Sequence, residues 1–300
     1  MRRFVLEMLA FVLLQAVIAA AVWQACPRRE DHYAAATGDK RRRLEGCGSP
    51  RLIFVGGSSA AFGFDSRVAA EAGFEPVNMG HNRSLGLRFM LGQVRDGLRE
   101  GDVVVVSPEY ELLWKAGVDS TLVTHLEYDP ASLRAVDYDT GRRLFDRGLP
   151  WVSSKVRCAL HQVSTAAPIG YSRNAFDDYG DFASHRGTPA REHTFEAVRW
   201  PSEAAVDVDA SIDVLRSFAE DCRDAGARCV FAFSPLRRGQ FDANEVTVRR
   251  AAREVREGSG LDVVIDLEHA VYPHADYYDQ GPHLMPAAAT LRTRALIEAL

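Results

Sequence analysis

Val103-Val-Val-Val106 restricts this chain more than any other segment. Four consecutive β-branched residues, bounded by Gly101-Asp102 and Ser107-Pro108, leave neither face of a strand polar, so both faces must be covered. A parallel sheet packed between helices meets that demand. Leu52-Ile-Phe-Val55, Cys229-Val-Phe-Ala-Phe233 and Asp262 to Ile265 have the same character, and Pro76 to Asn78 is a shorter strand. Between them run helical patterns: Ser66 to Ala72 ended by Gly73, Ser84 to Glu100, Val206 to Ala225 ended by Gly226, Asn244 to Glu257, and Pro286 to Leu300. This alternation predicts an α/β fold, a three-layer sandwich around five parallel strands in the flavodoxin-like order 2-1-3-4-5. The loops after the first, third, fourth and fifth strands then meet at one edge, where open α/β sheets build their sites.

The loop after the first strand carries the first chemical signal. In Arg51-Leu-Ile-Phe-Val-Gly-Gly-Ser-Ser-Ala-Ala-Phe-Gly-Phe-Asp65, Gly56-Gly57 permit a sharp turn that sets a serine at the strand's carboxyl end. A helix starting there offers free N–H groups to a developing oxyanion. Near the other terminus, Tyr277-Tyr-Asp-Gln-Gly-Pro-His-Leu-Met-Pro286 puts Asp279 four residues before His283. A serine is a poor nucleophile at neutral pH unless a histidine takes its proton, and a carboxylate holds that histidine in the useful tautomer. Ser59, His283 and Asp279 are therefore the expected catalytic residues. Ser58 is the alternative nucleophile, because Gly-Ser-Ser leaves a one-residue ambiguity. The plainer readings are a turn that caps a helix and a polar loop that caps the last one. Asp266, His269, His274 and Asp276 read as members of a solvated polar segment.

Gly57-Ser58-Ser59, with Gly63 four residues after Ser59, resembles the first block of the SGNH (GDSL-type) hydrolases. Asn78-Met79-Gly80 resembles the second block, and Asp279 with His283-Leu284 the terminal one. The similarity is greatest to the membrane-anchored branch with D-alanyl-transfer proteins and alginate-type O-acetyltransferases. It implies a serine esterase or O-acyltransferase that works through an acyl-enzyme on acylated cell-envelope or exopolysaccharide glycans, with no cofactor or metal. It also implies, for the transferases, work beside a multi-spanning membrane acyltransferase. One departure stands out. The family's third block supplies an asparagine to the oxyanion, whereas Ser107-Pro108-Glu109-Tyr110 follows the third strand here, and a carboxylate donates only when protonated. The oxyanion must then rest on backbone N–H groups near Ser59 and Gly80, with Asn82. Otherwise the hole is incomplete, and the chain is a degenerate glycan-binding or scaffold subunit of a polysaccharide modification or export assembly.

The N-terminus sets the address. After Arg2 and Arg3, Phe4 to Trp23 is apolar except for Glu7 and Gln15, about 30 Å of helix and enough to cross a bilayer core. The flanking arginines place the rest outside the inner membrane, as a single-pass protein with a periplasmic domain. A signal peptide cleaved near Ala19 to Ala21, or a lipobox ending at Cys26, would export the domain equally. Residues 1–26 are thus an anchor or signal peptide, and 27–50 a linker whose run Lys40-Arg-Arg-Arg43 is solvated. Residues 51–300 form the catalytic domain, with an aromatic insertion over 116–204 that includes a helix from Trp151 to Val163. The insertion either lines a substrate groove or staples itself to the core. A net charge of −5 gives no footprint for nucleic acid. Five cysteines, Cys26, Cys47, Cys158, Cys222 and Cys229, show no zinc-site spacing. Cys222 and Cys229 form a local disulfide or stay buried thiols.

Overall fold

The computed structural model describes residues 2–25, 29–115, 121–144, 153, 171–191 and 194–300. Its strands are β1 (Arg51–Val55), β2 (Glu75–Asn78), β3 (Val103–Val106), β4 (Arg228–Ala232), β5 (Leu236–Arg237), β6 (Asp262–Ile265) and β7 (Val271–Tyr272). Five of them form one parallel sheet in the order β2-β1-β3-β4-β6. This is the expected spatial order; the last strand is sixth in the chain because the two-residue β5, which pairs with β7, intervenes. Register sets the site. Val55 pairs with Val106 and Val106 with Phe231, so the segments after β1, β3 and β4 leave the sheet side by side.

The helices are α1 (Arg2–Ala25), α2 (Ala36–Gly46), α3 (Ser58–Gly63), α4 (Ser66–Glu71), α5 (Leu87–Arg95), α6 (Glu111–Trp114), α7 (Thr121–Tyr128), α8 (Asp209–Asp224), α9 (Arg238–Gly258) and α10 (Pro286–Ala299). α5 packs on α8, while α3 and α4 pack on α10. Leu52 to Val55, Val104 to Val106, Phe218 and Phe231 are fully buried in the core between them, as a β-branched and aromatic strand set requires. α5 is shorter than the pattern over Ser84 to Glu100 suggests. Gly86, at φ +81°, starts it, and such a backbone angle is one that glycine adopts without strain. α9 begins earlier than Asn244, which instead sits within it as a non-helical kink.

The stretch expected to be a linker is largely part of the folded domain. Thr37, Lys40 and Leu44 of α2 are buried. The Lys40 ammonium donates to the carbonyls of Asn78 (2.9 Å), Gly80 (2.6 Å) and Gly180 (2.5 Å), so three N–H donors meet three buried backbone carbonyls that need partners. Arg41 pairs with Asp129 and Arg43 donates to the carbonyl of Pro76. The basic run therefore binds the fold instead of being solvated.

The expected N-terminal membrane span is not supported. Among the described residues no helix is long and apolar enough to cross a membrane. α1 carries an Arg3–Glu7 ion pair in its first turns and exposes Phe4, Leu6 and Leu13; the side chains at 19 and 22–25 lie outside the described residues. So do Cys26, Cys158 and most of the helix expected over Trp151 to Val163. Cys222 and Cys229 are free thiols, so the local disulfide is absent. In the described part of the insertion, Ala175 and Phe182 pack with Ala61, Phe62 and Tyr278, so at least this part is stapled to the core.

One ion pair joins the amino ends of β1 and β3. Arg51 and Asp102 are 0% and 1% exposed, and Arg51 Nε donates to Asp102 Oδ1 at 2.8 Å. The same guanidinium donates to Asp102 Oδ2 and to the carbonyls of Leu44 and Gly97. Removing one partner strands a buried charge, so Asp102→Ala should lower stability by about 3–5 kcal/mol. Urea unfolding followed by circular dichroism measures this.

Candidate active site

The turn after β1 is closed by a carboxyl group. Glu109 Oε2 accepts the Gly57 N–H at 3.1 Å and Oε1 accepts the Ser59 N–H at 3.0 Å. The approach leaves no room for larger residues. A Cβ at Gly56 would stand 2.3 Å from the Ser107 carbonyl oxygen, and one at Gly57 would stand 2.3 Å from Glu109 Oε2. Burial raises the Glu109 pKa above the ordinary carboxylate range, against the pull of the Ser59 N–H.

The two serines separate at this point. Consecutive residues in a helix turn by about 100°, so Ser58 and Ser59 at the start of α3 face different ways. Ser59 is fully buried, and Ser234 Oγ donates to its Oγ at 2.7 Å. Ser58 instead lines a cavity of about 380 Å³ that also holds Asn82, Glu109, Ser234, Arg237 and His283. Of the two serines, Ser58 is the one that lines a cavity together with His283, while Ser59 lies in the core. Phe195, Val198, Trp200, Pro235 and Leu236 form its apolar wall.

His283 is held on three sides. Its Nδ1 lies 2.8 Å from Asp279 Oδ1, and its ring stacks on Phe62 at 4.0 Å and 14°. The Tyr171 hydroxyl donates to Asp279 Oδ2 at 2.8 Å and lies 3.3 Å from His283 Nδ1, while the Gly281 N–H donates to Asp279 Oδ1 at 2.8 Å. Burial opposes ionisation of Asp279, but the His283 hydrogen bond and charge, with Tyr171 and Gly281, bring its pKa down to about 2. Burial and the Asp279 charge push the Tyr171 hydroxyl up, which keeps it a donor. Arg237 clamps the same loop from the cavity side. It donates to the carbonyls of Asp279 (2.6 Å) and Gln280 (3.3 Å), and sits over the rings of Phe195 and Tyr277. This arrangement suits proton transfer at the face of His283 opposite Asp279.

The expected oxyanion donors fare unevenly. Gly80 is buried away from the cavity; its N–H donates to Asn78 Oδ1 at 2.9 Å, and its carbonyl accepts from Lys40. A Cβ there would stand 2.5 Å from the Ala61 nitrogen, so this glycine serves close packing. Asn82 lines the cavity, and its Oδ1 accepts the Ser84 N–H, which leaves the amide nitrogen as a donor. The Ser58 N–H, in the first turn of α3, has no intrahelical acceptor.

Tyr171, Arg237 and Ser234 join the site without having been singled out individually. Tyr171 lies in the aromatic segment already noted, and Ser234 sits beyond β4, but nothing in their spacing ties them to Asp279 or Ser59. Among the described residues no cluster of three or more His, Cys, Asp or Glu could hold a metal. Asp266 and His269 pair with each other, with the His269 side chain exposed. Buried His185 lies 3.2 Å from the Leu284 carbonyl, supporting the His283 loop from behind. Comparison with protein-family models, with curated proteins and with solved structures finds no match.

Asp279 binds its proton less readily in the fold than its ordinary value of 3.8, so its contribution to stability is present above pH about 4 and disappears as the pH falls through about 2. Tyr171→Phe removes one donor and moves the folded pKa back up. The variant should be less stable than wild type by about 1–2 kcal/mol at neutral pH, and the gap should close between pH about 4 and 2. Urea unfolding across that range reads it.

Proposed function

We propose that this chain is an SGNH-type serine esterase or O-acyltransferase with Ser58 as nucleophile, His283 as general acid–base and Asp279 as orienting carboxylate. The observation that carries the reading is that Ser58 and His283 share one cavity while Asp279 holds the far nitrogen of the imidazole. Ser58 Oγ attacks the acyl carbonyl as His283 Nε2 takes its proton. The tetrahedral oxyanion rests against the Ser58 N–H and the Asn82 amide. His283 returns the proton to the departing alcohol oxygen, leaving the acyl group on Ser58. A second hydroxyl, from water or a sugar, then repeats the steps in reverse.

The apolar wall of Phe195, Val198 and Trp200 suits a sugar face or an acyl chain, which supports an acylated envelope or exopolysaccharide glycan as substrate. The apolar sequence run Phe4 to Trp23 behind Arg2 and Arg3, and not the described part of α1, supports a single-pass inner-membrane anchor with the domain periplasmic and a multi-spanning acyltransferase as partner for transfer. The two helix groups are the outer layers of a three-layer, flavodoxin-like sandwich. Glu109 favours a second reading, a glycan-binding or scaffold subunit, because it occupies the Ser59 N–H that could otherwise help an oxyanion.

Turnover separates the two. Wild type should hydrolyse an activated aryl acetate, and Ser58→Ala should lower kcat by on the order of 10⁴ or more. Ser59→Ala should retain kcat within about tenfold, since it removes a buried hydroxyl that bonds Ser234 and Glu109 and leaves Ser58 and His283 in place. No turnover by wild type of any small ester would contradict the enzymatic reading and favour the binding one.

A further inference from the structure

Arg292 of α10 is only 2% exposed. Its Nη2 donates to Ser107 Oγ (3.1 Å) and to the Phe233 carbonyl (2.9 Å), and its Cζ lies 4.8 Å from the centre of the Phe64 ring. Nε and Nη1 meet no acceptor, and no carboxylate pairs with the guanidinium, among the described residues. Two further buried donors share this condition: the hydroxyls of Tyr110 and Tyr277, residues that are 3% and 1% exposed.

The fold brings these groups together. Tyr110 stacks on Phe233 at 6.2 Å and 15°, and the carbonyl of Phe233 is the one that Arg292 holds. Tyr277 packs against Ala288 and Ala289; Ala288 stands one turn before Arg292 on the same face of α10. Both tyrosines also line the cavity that holds Ser58, so Arg292 lies behind that wall.

A guanidinium has donors and no acceptors, and an unpaired one is costly in an apolar interior. A water molecule there could accept from the guanidinium and donate to the tyrosine oxygens, but it would leave the buried positive charge without a counter-charge. A small anion accepts from all of them and neutralises the charge. We propose that Arg292, Tyr110 and Tyr277 enclose a binding site for a monatomic anion such as chloride. Tyr110 adjoins Glu109 and Tyr277 lies two residues before Asp279, so the anion joins the loop after β3 to the loop that carries His283. This inference does not depend on the assignment of Ser58.

The test is thermal unfolding of the full-length chain in sodium chloride, sodium bromide and sodium gluconate at equal ionic strength, together with a bromide-containing crystal. The expected result is a saturable, halide-specific rise in Tm of about 5 °C once the halide reaches roughly 100 times its Kd. The Tyr110→Phe/Tyr277→Phe double variant, which loses only the two hydroxyls, should show at most half that rise. Wild-type crystals should show an anomalous bromide peak between Arg292 and the two tyrosines, a readout that needs no variant to fold. Equal Tm in halide and gluconate, or ordered water in place of the bromide, would overturn the proposal.

Discussion

The carboxyl group of Glu109 holds the site together. It takes the N–H groups of Gly57 and Ser59, on either side of Ser58, and so ties the turn after β1 to the loop after β3. Hydrogen bonds from backbone N–H groups to a charged acceptor contribute about 1.5–3 kcal/mol each, enough to offset part of the cost of burying a carboxylate. The bonds also dictate composition, since any side chain at Gly57 would collide with the carboxyl oxygens. A residue that departs from the oxyanion-donating asparagine of the resembling family thus has a positive role, fixing the backbone on which Ser58 stands.

α3 extends that role to the histidine. Its Phe62 stacks on His283 on one side and on Phe182 at 4.1 Å on another, so one short helix carries the serine and the platform for its partner. The insertion completes the enclosure from 171 to 191: Tyr171 reaches Asp279, and the Phe182 N–H donates to the Ala61 carbonyl. Aromatic stacking of this kind adds about 0.5–1.5 kcal/mol per pair beyond the area buried. It also limits rotation of the imidazole, so packing and positioning of the His283 ring have a common source.

Local patterns disclosed what depends on local physics. Runs such as Val103 to Val106 announced buried parallel strands, and the Asp279–His283 spacing announced a hydrogen-bonded pair. Ser58 and Ser59 could not be told apart, because the choice depends on where α3 begins and a single residue turns a side chain from cavity to core. Lys40 looked solvated among arginines, since its acceptors come from residues 78, 80 and 180, far apart in the chain. Gly80 matched an expected motif, yet its N–H is committed to Asn78 two residues earlier, a contact fixed only once β2 ends where it does. Tyr171 belongs to the same class: a long-range partner inside a segment whose aromatic content was plain and whose target was not.

The most direct test of the account is intact-mass analysis of the full-length chain after treatment with a fluorophosphonate, for wild type, Ser58→Ala and Ser59→Ala. The account predicts one adduct on wild type, its loss in Ser58→Ala and its retention in Ser59→Ala. An adduct that survives Ser58→Ala and vanishes in Ser59→Ala would contradict it.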